Sequence, residues 1–304
     1  MNVVNALIAR ANNFYLNTST KEKCVRFLVE GKFVGLIQPN YAKYLLRYTD
    51  VFEMQRIDKS GQEVLVLNPA LNDFDSRTKA VKEVVEHLRV NEDLPALRSW
   101  RDEQFGVYLQ NRSTVLFKME RAASTMLGIV RYGVHVNGYC FSPQNELLIW
   151  VALRSSEKST YPGMYDNIVA GGLTYGLSVR ECVEKECVEE ASVREDLLRD
   201  NLKPVGLVSC INEDDRGISP QVDFCYDLLL PFGYQPINKD GEVQEFILVD
   251  NRSVLALITS EKFKPNSALV ILDFLYRNGL LKPDDDIPSY LDFHYMLRTK
   301  LPFD

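Results

Sequence analysis

The sequence of 304 residues contains few of the residues that build several common functional sites. Its three histidines, His87, His135 and His294, are widely spaced, which argues against a histidine metal site or a Ser-His-Asp triad. Its six cysteines form no C-x-x-C pair, so neither a cysteine zinc site nor a dithiol redox motif is expected. Reduced cysteines are the simpler interpretation, and they predict a cytoplasmic protein.

Long apolar runs and an excess of positive charge are also absent. No apolar stretch approaches the roughly 20 residues of a membrane-spanning helix, and residues 1–15 lack the apolar core of a signal peptide. The net charge is −7 at pH 7 and the isoelectric point is about 5.2, which argues against a nucleic-acid-binding surface. We therefore expect no nucleic acid and no membrane among the partners of this protein.

The length and a change of pattern near residue 125 predict two domains. In residues 1–125, positions 24–38 alternate around a Gly-Lys turn as a β-hairpin does, and positions 76–92 have helical periodicity. Shorter helices are predicted at 41–48 and 95–103, and a strand at 63–68. This first part shows no catalytic constellation, so we expect a small α+β domain that supports a pocket or a dimer interface.

Residues 126–304 alternate between strand and helix patterns. Such interleaving predicts a mixed sheet covered by helices on both faces. The predicted strands are 134–141, 146–154, 204–212, 222–231 and 242–248, and the predicted helices are 252–258, 269–278 and a last one within 288–302.

The segment from 170 to 193, A-G-G-L-T-Y-G-L-S-V-R-E-C-V-E-K-E-C-V-E-E-A-S-V, carries the clearest chemical signal. A glycine-rich loop is predicted to run into a helix whose start is marked by an S-x-x-E capping box at Ser178 and Glu181. Residues three and four apart share a helix face, so Glu186 lies beside Glu189 and Glu190.

Each like-charge pair on a helix costs about 0.2–0.5 kcal/mol, and a hard divalent cation with oxygen ligands would turn that repulsion into binding. The alternative is an ordinary solvated helix face, which is the common reason for a glutamate-rich helix. A capped start and an apolar stripe at Val179, Val183, Cys187 and Ala191 favour an anchored helix that displays its carboxylates.

This segment resembles the Nudix box, which is Gly, five residues, Glu, seven residues and R-E-U-x-E-E-x-G-U, where U is apolar. Aligned from Gly171, the chain has Glu186, Glu189 and Glu190 at the three carboxylates that bind metal in the family. The positions that depart are Leu177 at the first Glu, Lys185 at the Arg and Ser192 at the Gly. Lys185 keeps the positive charge without the planar fork that orients a carboxylate.

Flanking motifs are similar to those of the Nudix subfamily related to thiamine pyrophosphokinase, whose members carry an extra N-terminal domain. The motifs are G-V-H-V-N-G-Y at 133–139, Y-P-G-M-Y-D-N-I-V-A-G-G at 161–172, D-G-E-V-Q-E-F at 240–246 and F-K-P-N at 263–266. The box of that subfamily tends to read K-E-x-x-E-E-A-S, so Lys185 and Ser192 are expected there.

The resemblance implies the α/β/α Nudix sandwich with a mixed sheet, preceded by the small α+β domain. It implies hydrolysis of thiamine diphosphate, or of its oxidised analogues, to the monophosphate and phosphate, with Mg²⁺ as cofactor and Mn²⁺ as an alternative. Glu186, Glu189 and Glu190 would bind the metal together with the main-chain carbonyl of Gly171. Glu190 or Glu186 would help to deprotonate the attacking water.

The remaining candidate residues follow from their positions in the resembling motifs. Glu242 is the candidate for a further catalytic carboxylate, with Glu245 as the second choice, although D-G-E-V could equally be a simple turn. Asp166 would contact substrate or cap its loop, and Arg216 would cover the pocket or belong to a turn. The other assignments are Arg154 and Lys158 for the diphosphate oxygens, Tyr161 and Tyr165 for an aromatic surface, and Lys185 for orientation of the carboxylates.

Two alternatives to this function stay open at this point. The substrate could be another diphosphate, such as a nucleoside diphosphate derivative. The chain could also be a non-catalytic binding module in which Leu177 and Lys185 mark lost activity. The sequence leaves a homodimer open as well.

Overall fold

The structure is a computed structural model that describes residues 3–16, 22–57, 63–109, 112, 114–282 and 290–303. Within these residues, a four-stranded sheet, a two-stranded hairpin and a seven-stranded sheet follow one another along the chain. None of the helices in this part of the chain is both long enough and apolar enough to cross a lipid bilayer.

The first part of the chain builds the four-stranded sheet, in the order β2-β1-β4-β3, and the hairpin β5–β6. Its elements are α1 (Val3–Ala11), β1 (Val25–Val29), β2 (Lys32–Ile37), α2 (Pro39–Leu45), β3 (Phe52–Arg56), β4 (Glu63–Leu67), α3 (Phe74–Asn91), β5 (Gln104–Tyr108), β6 (Val115–Glu120) and α4 (Ala123–Met126).

Most predictions for this part are confirmed. Strands β1 and β2 pair as the expected antiparallel hairpin, and α3 starts at a capping box in which Asp73 accepts a hydrogen bond from the Ser76 amide at 2.8 Å. The predicted helix at 95–103 is wrong beyond a short 3₁₀ turn at Pro95–Ser99, because the chain then extends into β5. Helix α1 and the hairpin β5–β6 were not predicted.

The second part of the chain builds the seven-stranded sheet and the helices on its two faces. Its elements are β7 (Arg131–Phe141), β8 (Leu147–Arg154), β9 (Tyr165–Asn167), β10 (Val169–Gly172), α5 (Val179–Ala191), α6 (Glu195–Asn201), β11 (Leu202–Asp214), β12 (Gly217–Leu229), β13 (Val243–Asp250), α7 (Asn251–Thr259), α8 (Pro265–Arg277) and α9 (Tyr290–Met296). The predicted last helix at 288–302 corresponds to α9, and residues 288–289 lie outside the described residues.

The large sheet is mixed and has a helical layer on each face. Its strand order is β11-β12-β7-β8-β13, with β10 paired to β7 and β9 to β8, and β7 runs parallel to β12. Side chains alternate along the strands. Val134 and Val136 therefore share a buried cluster with α5, whereas Ile149 and Val151 share one with α7 and α8. This confirms the predicted α/β/α sandwich.

Helix α1 packs with the second part of the chain, although it precedes the first sheet. Leu7 and Ile8 belong to the same apolar cluster as α7 and α8. The residues that follow also bind strand β11, since Asn12 Oδ1 accepts the Ile211 amide at 3.1 Å and Asn13 Oδ1 accepts the Glu213 amide at 2.7 Å. The domain boundary near residue 125 stays a prediction, and the chain crosses between the two parts more than once.

The two parts meet closely at Gly128, which directly precedes β7. Gly128 has a left-handed backbone with φ of +58°, and its carbonyl accepts the Leu36 amide at 3.2 Å. A Cβ atom at this position would lie 1.8 Å from the Leu36 carbonyl oxygen. Only glycine therefore allows β2 to lie against the start of the second part.

We expect Gly128→Ala to lower the free energy of unfolding by about 3 kcal/mol, since strain of a left-handed alanine adds to the backbone clash. Gly279→Ala is the matched control. It has a similar φ of +67° with nothing within 4 Å of the added Cβ, so it should cost only about 1 kcal/mol. Urea unfolding of both variants measures the difference, and equal losses would contradict the proposed close contact.

Candidate active site

A cavity of about 420 Å³ lies where helix α5, the large sheet and the hairpin β5–β6 meet. This volume falls in the range of small-molecule sites, roughly 300–1,000 Å³. The sequence-predicted residues that line it are Arg154, Lys158, Tyr161, Gly171, Lys185, Glu186, Glu189, Glu190, Arg216 and Glu242. Tyr165, Asp166 and Glu245 are not among the lining residues.

The glycines before α5 belong to a strand, so the prediction of a glycine-rich loop is wrong at Gly171 and Gly172. Both lie in β10 and pair with β7 in antiparallel register. A Cβ atom on Gly171 would lie 2.3 Å from the carboxyl carbon of Glu186. Glycine is required here because the Glu186 side chain packs directly against the strand.

Helix α5 is anchored as the sequence predicts. Ser178 and Glu181 form a reciprocal capping box at its start, and Val183, Cys187 and Ala191 are buried beneath it. Leu177 packs against the same buried cluster. Because this face is fixed in the core, Glu186, Glu189 and Glu190 are presented at the cavity.

Burial makes the negative charges of the site costly. Burial raises the pKa of Glu190 well above its ordinary value, and the negative charges of Glu186, Asp166 and Glu242 raise it further. A 2.8 Å hydrogen bond from the Ala170 amide lowers this pKa but does not offset the burial. Burial also raises the pKa of Glu186. Both carboxyls would be stabilised in their ionised form by a cation.

Lys185 pairs with the carboxylates on its own helix. Its Nζ lies 2.6 Å from Glu189 Oε2 and 3.5 Å from Glu186 Oε1. Burial alone would lower the pKa of Lys185, but the hydrogen bond to Glu189 and the charges of both glutamates raise it above its ordinary value. The predicted orienting residue therefore contacts two of the three box carboxylates.

Glu242 joins the site from the turn before β13. The turn itself is real, since Asp240 Oδ1 accepts the Glu242 amide at 2.9 Å and Asn238 Oδ1 accepts the Gly241 amide at 3.0 Å. The Glu242 side chain nevertheless lines the cavity and forms an ion pair with Lys158. Burial would raise its pKa, but Lys158 lowers it below the ordinary value. Glu245 is exposed, so Glu242 is the better candidate.

The carboxylates match a divalent cation in chemistry. Glu186, Glu189 and Glu190 offer only oxygen donors, as Mg²⁺ and Mn²⁺ prefer, and the two buried ones lack sufficient countercharge. Among the described residues no three His, Cys, Asp or Glu side chains are gathered closely enough to hold a metal ion. One of the candidate oxygen ligands, Glu189 Oε2, is instead paired with Lys185 Nζ at 2.6 Å.

Arg154 fixes the loop that borders the cavity. Its Nη1 donates to Asp166 Oδ2 at 2.8 Å, and its Nη2 and Nε donate to the carbonyls of Thr160 and Tyr161 at 2.8 and 3.0 Å. Burial would raise the pKa of Asp166, but the charges of Lys264 and Arg154 hold it well below its ordinary value. Binding of diphosphate by Arg154 stays a prediction, and its present bonds position the loop.

The two predicted tyrosines lie in different surroundings. Tyr161 lines the cavity with a left-handed backbone, φ of +51°, and the guanidinium carbon of Arg216 lies 5.8 Å from its ring centre. Arg216 is also bonded to Asp214. Tyr165 packs instead against Phe263, so the structure does not place it at the cavity.

Sequence reasoning missed part of the cavity wall. Several of these residues come from the hairpin and its flanks, and others come from the polar face of the large sheet and the start of α8. They are Arg101, Glu103, Phe105, Arg121, Arg131, His135, Asn212, Gln221, Lys264 and Asn266. His135, Lys264 and Asn266 lie in motifs that the sequence shows at 133–139 and 263–266, but these motifs gave them no role. No local motif marks the others, because they meet only through the packing of distant segments.

The protein has the sandwich fold, carries the box on β10 and α5, and gathers carboxylates and cations at one cavity. These features define a hydrolase that acts on phosphorus anhydrides. The chain is similar to "Nudix hydrolase 20, chloroplastic" of Arabidopsis thaliana, with 37% identity over 285 residues, which cover 91% of this chain and 73% of that protein. It is also 38% identical to "Nudix hydrolase 24, chloroplastic" of the same plant over 281 residues, 90% of this chain and 73% of that protein. The chain belongs to the Nudix hydrolase family.

Two further comparisons concern the two parts of the chain. Residues 4–131 match a family described as "Domain of unknown function (DUF4743)". The structure of DR0079 from Deinococcus radiodurans has a TM-score of 0.41 and 18% identity, covering 56% of this chain and 96% of that one.

We expect Glu190→Gln to stabilise the metal-free protein at pH 8 by about 1 kcal/mol, because it removes a buried charge and can still accept the Ala170 amide. At low pH Glu190 is protonated and resembles Gln. As the pH rises from the ordinary glutamate pKa to the raised pKa of folded Glu190, only the unfolded chain loses this proton, so the wild type loses stability and the difference widens. Melting temperatures of both proteins in EDTA between pH 5 and 8 measure this, and a constant difference would contradict it.

We expect Glu189→Gln to weaken Mn²⁺ binding at least tenfold, about 1.4 kcal/mol or more, because it removes one anionic ligand. Glu184→Gln is the matched control on the same helix, since Glu184 pairs with Arg180 and does not line the cavity. It should bind Mn²⁺ within about twofold of the wild type. Titration calorimetry measures both affinities, and equal losses would argue against a specific role of Glu189.

Proposed function

We propose that this protein is a Mg²⁺-dependent diphosphatase that removes the terminal phosphate of thiamine diphosphate or, preferentially, of its oxidised analogues. The observation that carries the chemistry is the single cavity in which box glutamates lie with guanidinium and ammonium groups. The proposed substrate rests on the order and spacing of the motifs at 133–139, 161–172, 240–246 and 263–266, which are similar to those of the subfamily related to thiamine pyrophosphokinase.

Mg²⁺ held by Glu186, Glu189 and Glu190, with the Gly171 carbonyl as a further donor, would supply countercharge to the leaving phosphate and acidity to the attacking water. The protein itself provides position and fixed charge, which account for most catalysis of phosphoryl transfer.

The buried carboxyls are suited to accept the proton of the attacking water. A general base must first lie within reach of the water, and Glu190 is fixed at the cavity by a 2.8 Å hydrogen bond from the Ala170 amide to its Oε2. Lys158 holds Glu242 at the same cavity. Glu190 is therefore our first candidate for the base, and Glu242 is the candidate for a further catalytic carboxylate beside it.

The rest of the cavity suits an organic group of moderate size attached to the diphosphate. The Tyr161 ring offers an aromatic surface, and His135 and Asn266 offer polar groups at the wall. An oxidised analogue that occupies coenzyme sites without function is inhibitory, so its removal would protect the cell.

The proposal predicts phosphate release from thiamine diphosphate and its oxo and oxy analogues that requires Mg²⁺ and is abolished by EDTA. The rate should fall at least 100-fold in Glu189→Gln, since metal-assisted charge stabilisation is lost, and should stay within about twofold in Glu184→Gln. Phosphate assays with these substrates and a nucleotide panel make the measurement.

The panel separates the alternatives. Turnover confined to nucleoside diphosphate derivatives would refute the thiamine assignment and keep the hydrolase chemistry. Ligand binding without metal-dependent turnover on any substrate would favour the non-catalytic binding module.

A further inference from the structure

The wall of the cavity that adjoins the box is built by the N-terminal part of the chain. The hairpin β5–β6 docks on the residues between β10 and α5, where the Tyr175 amide donates to the Gln104 carbonyl at 2.8 Å and Thr174 Oγ1 donates to Glu103 Oε1 at 2.7 Å. A Cβ atom on Gly172 would lie 2.8 Å from the Phe105 ring. The absence of a side chain at Gly172 thus allows the hairpin to approach the site.

Most of the cations at the cavity already have a carboxylate partner. These are Arg121 with Glu103, Arg154 and Lys264 with Asp166, Lys158 with Glu242, Lys185 with Glu186 and Glu189, and Arg216 with Asp214. Within the described residues, Arg101 and Arg131 line the same cavity and form no ion pair with a carboxylate. Both lie in the segment matched by the N-terminal family.

Arg101 is held in place without being neutralised. Its main-chain amide donates to Glu120 Oε1 at 3.0 Å, and its Nη2 donates to Ser159 Oγ at 2.8 Å. Burial lowers the pKa of Arg101 and the positive charge of Arg121 lowers it further, whereas the charges of Glu242 and Glu103 raise it. Burial outweighs these two charges, and neither carboxylate forms an ion pair with the Arg101 guanidinium.

Arg131, the first residue of β7, is likewise held by a hydrogen bond and forms no ion pair with a carboxylate of the described residues. Its Nη2 donates to Gln221 Oε1 at 3.1 Å, whereas its buried Nε has no hydrogen-bond partner among the described residues. Burial lowers its pKa and Arg121 again acts in the same direction. A buried guanidinium donor without a partner is costly, and an anion would remove that cost.

We propose that Arg101 and Arg131 bind the phosphate oxygens of the substrate, so that the N-terminal domain supplies part of the active site through Arg101. A guanidinium matches phosphate oxygens with two parallel hydrogen bonds, which an ammonium cannot do. The proposal adds a binding role to the proposed function, and it holds for any diphosphate substrate. The box alone would then hold the metal and lack these two phosphate-binding groups.

The test is the binding of inorganic pyrophosphate to the full-length protein in EDTA, measured by titration calorimetry. We expect Arg101→Gln to weaken binding at least tenfold and Arg101→Lys to restore part of the loss through its charge. Arg98→Gln is the control in the same segment, since Arg98 is exposed and bonded to Asp93 at 2.8 and 2.9 Å. It should bind within twofold of the wild type.

Ser159→Ala separates binding from support of the loop. It removes the hydrogen bond of Arg101 and keeps the guanidinium, so pyrophosphate binding should stay within twofold. Equal losses in Ser159→Ala and Arg101→Gln, unchanged binding in Arg101→Gln, or no binding by the wild type would each overturn the proposal.

The same variants keep this proposal separate from the proposed function. Loss of pyrophosphate binding in Arg101→Gln, with no turnover of thiamine compounds by the wild type, would support the phosphate site and refute the substrate. Normal turnover of thiamine compounds by Arg101→Gln, with unchanged KM and pyrophosphate binding, would refute the phosphate site alone.

Discussion

The concentration of negative charge on one face of helix α5 is the constraint on which the cavity depends. Glu186 and Glu190 are largely withdrawn from water, and burial raises both pKa values. A helix with such a face forms because its opposite face is fixed by Val183, Cys187 and Ala191 in the core. The energy of apolar burial therefore holds carboxylates in positions that their mutual repulsion would otherwise disfavour.

Positive charges reach the cavity from several distant segments. Lys185 lies on the helix itself, Lys158 comes from the loop after β8, and Arg121 directly follows the hairpin of the first part of the chain. Two glycines leave the space that these segments need to approach one another. The Glu186 side chain packs against Gly171, and the Phe105 ring packs against Gly172. The box glycines thus serve close packing in a strand, and the two parts of the chain share one site.

The sequence predicts the elements whose signals are local. Helix α5 and the hairpin β1–β2 follow from a capping box and from alternation, and the three box glutamates follow from their spacing. Arg101 and Arg131 could not be found in this way, because their role depends on how the hairpin docks and on which cations lack a carboxylate. Tyr165 and Asp166 are the opposite case. The motif at 161–172 predicted that they contact the substrate, but their side chains do not line the cavity.

The departures of the box from the family pattern are compatible with catalysis on physical grounds. Leu177 is partly buried against the core beside α5, Lys185 contacts Glu186 and Glu189 directly, and all three box carboxylates are present. A module that only bound ligands would gain stability if Glu190 were neutral, because a buried carboxylate with a raised pKa opposes folding at neutral pH. Such a cost is expected where a protein uses the charge, as at a metal-binding active site.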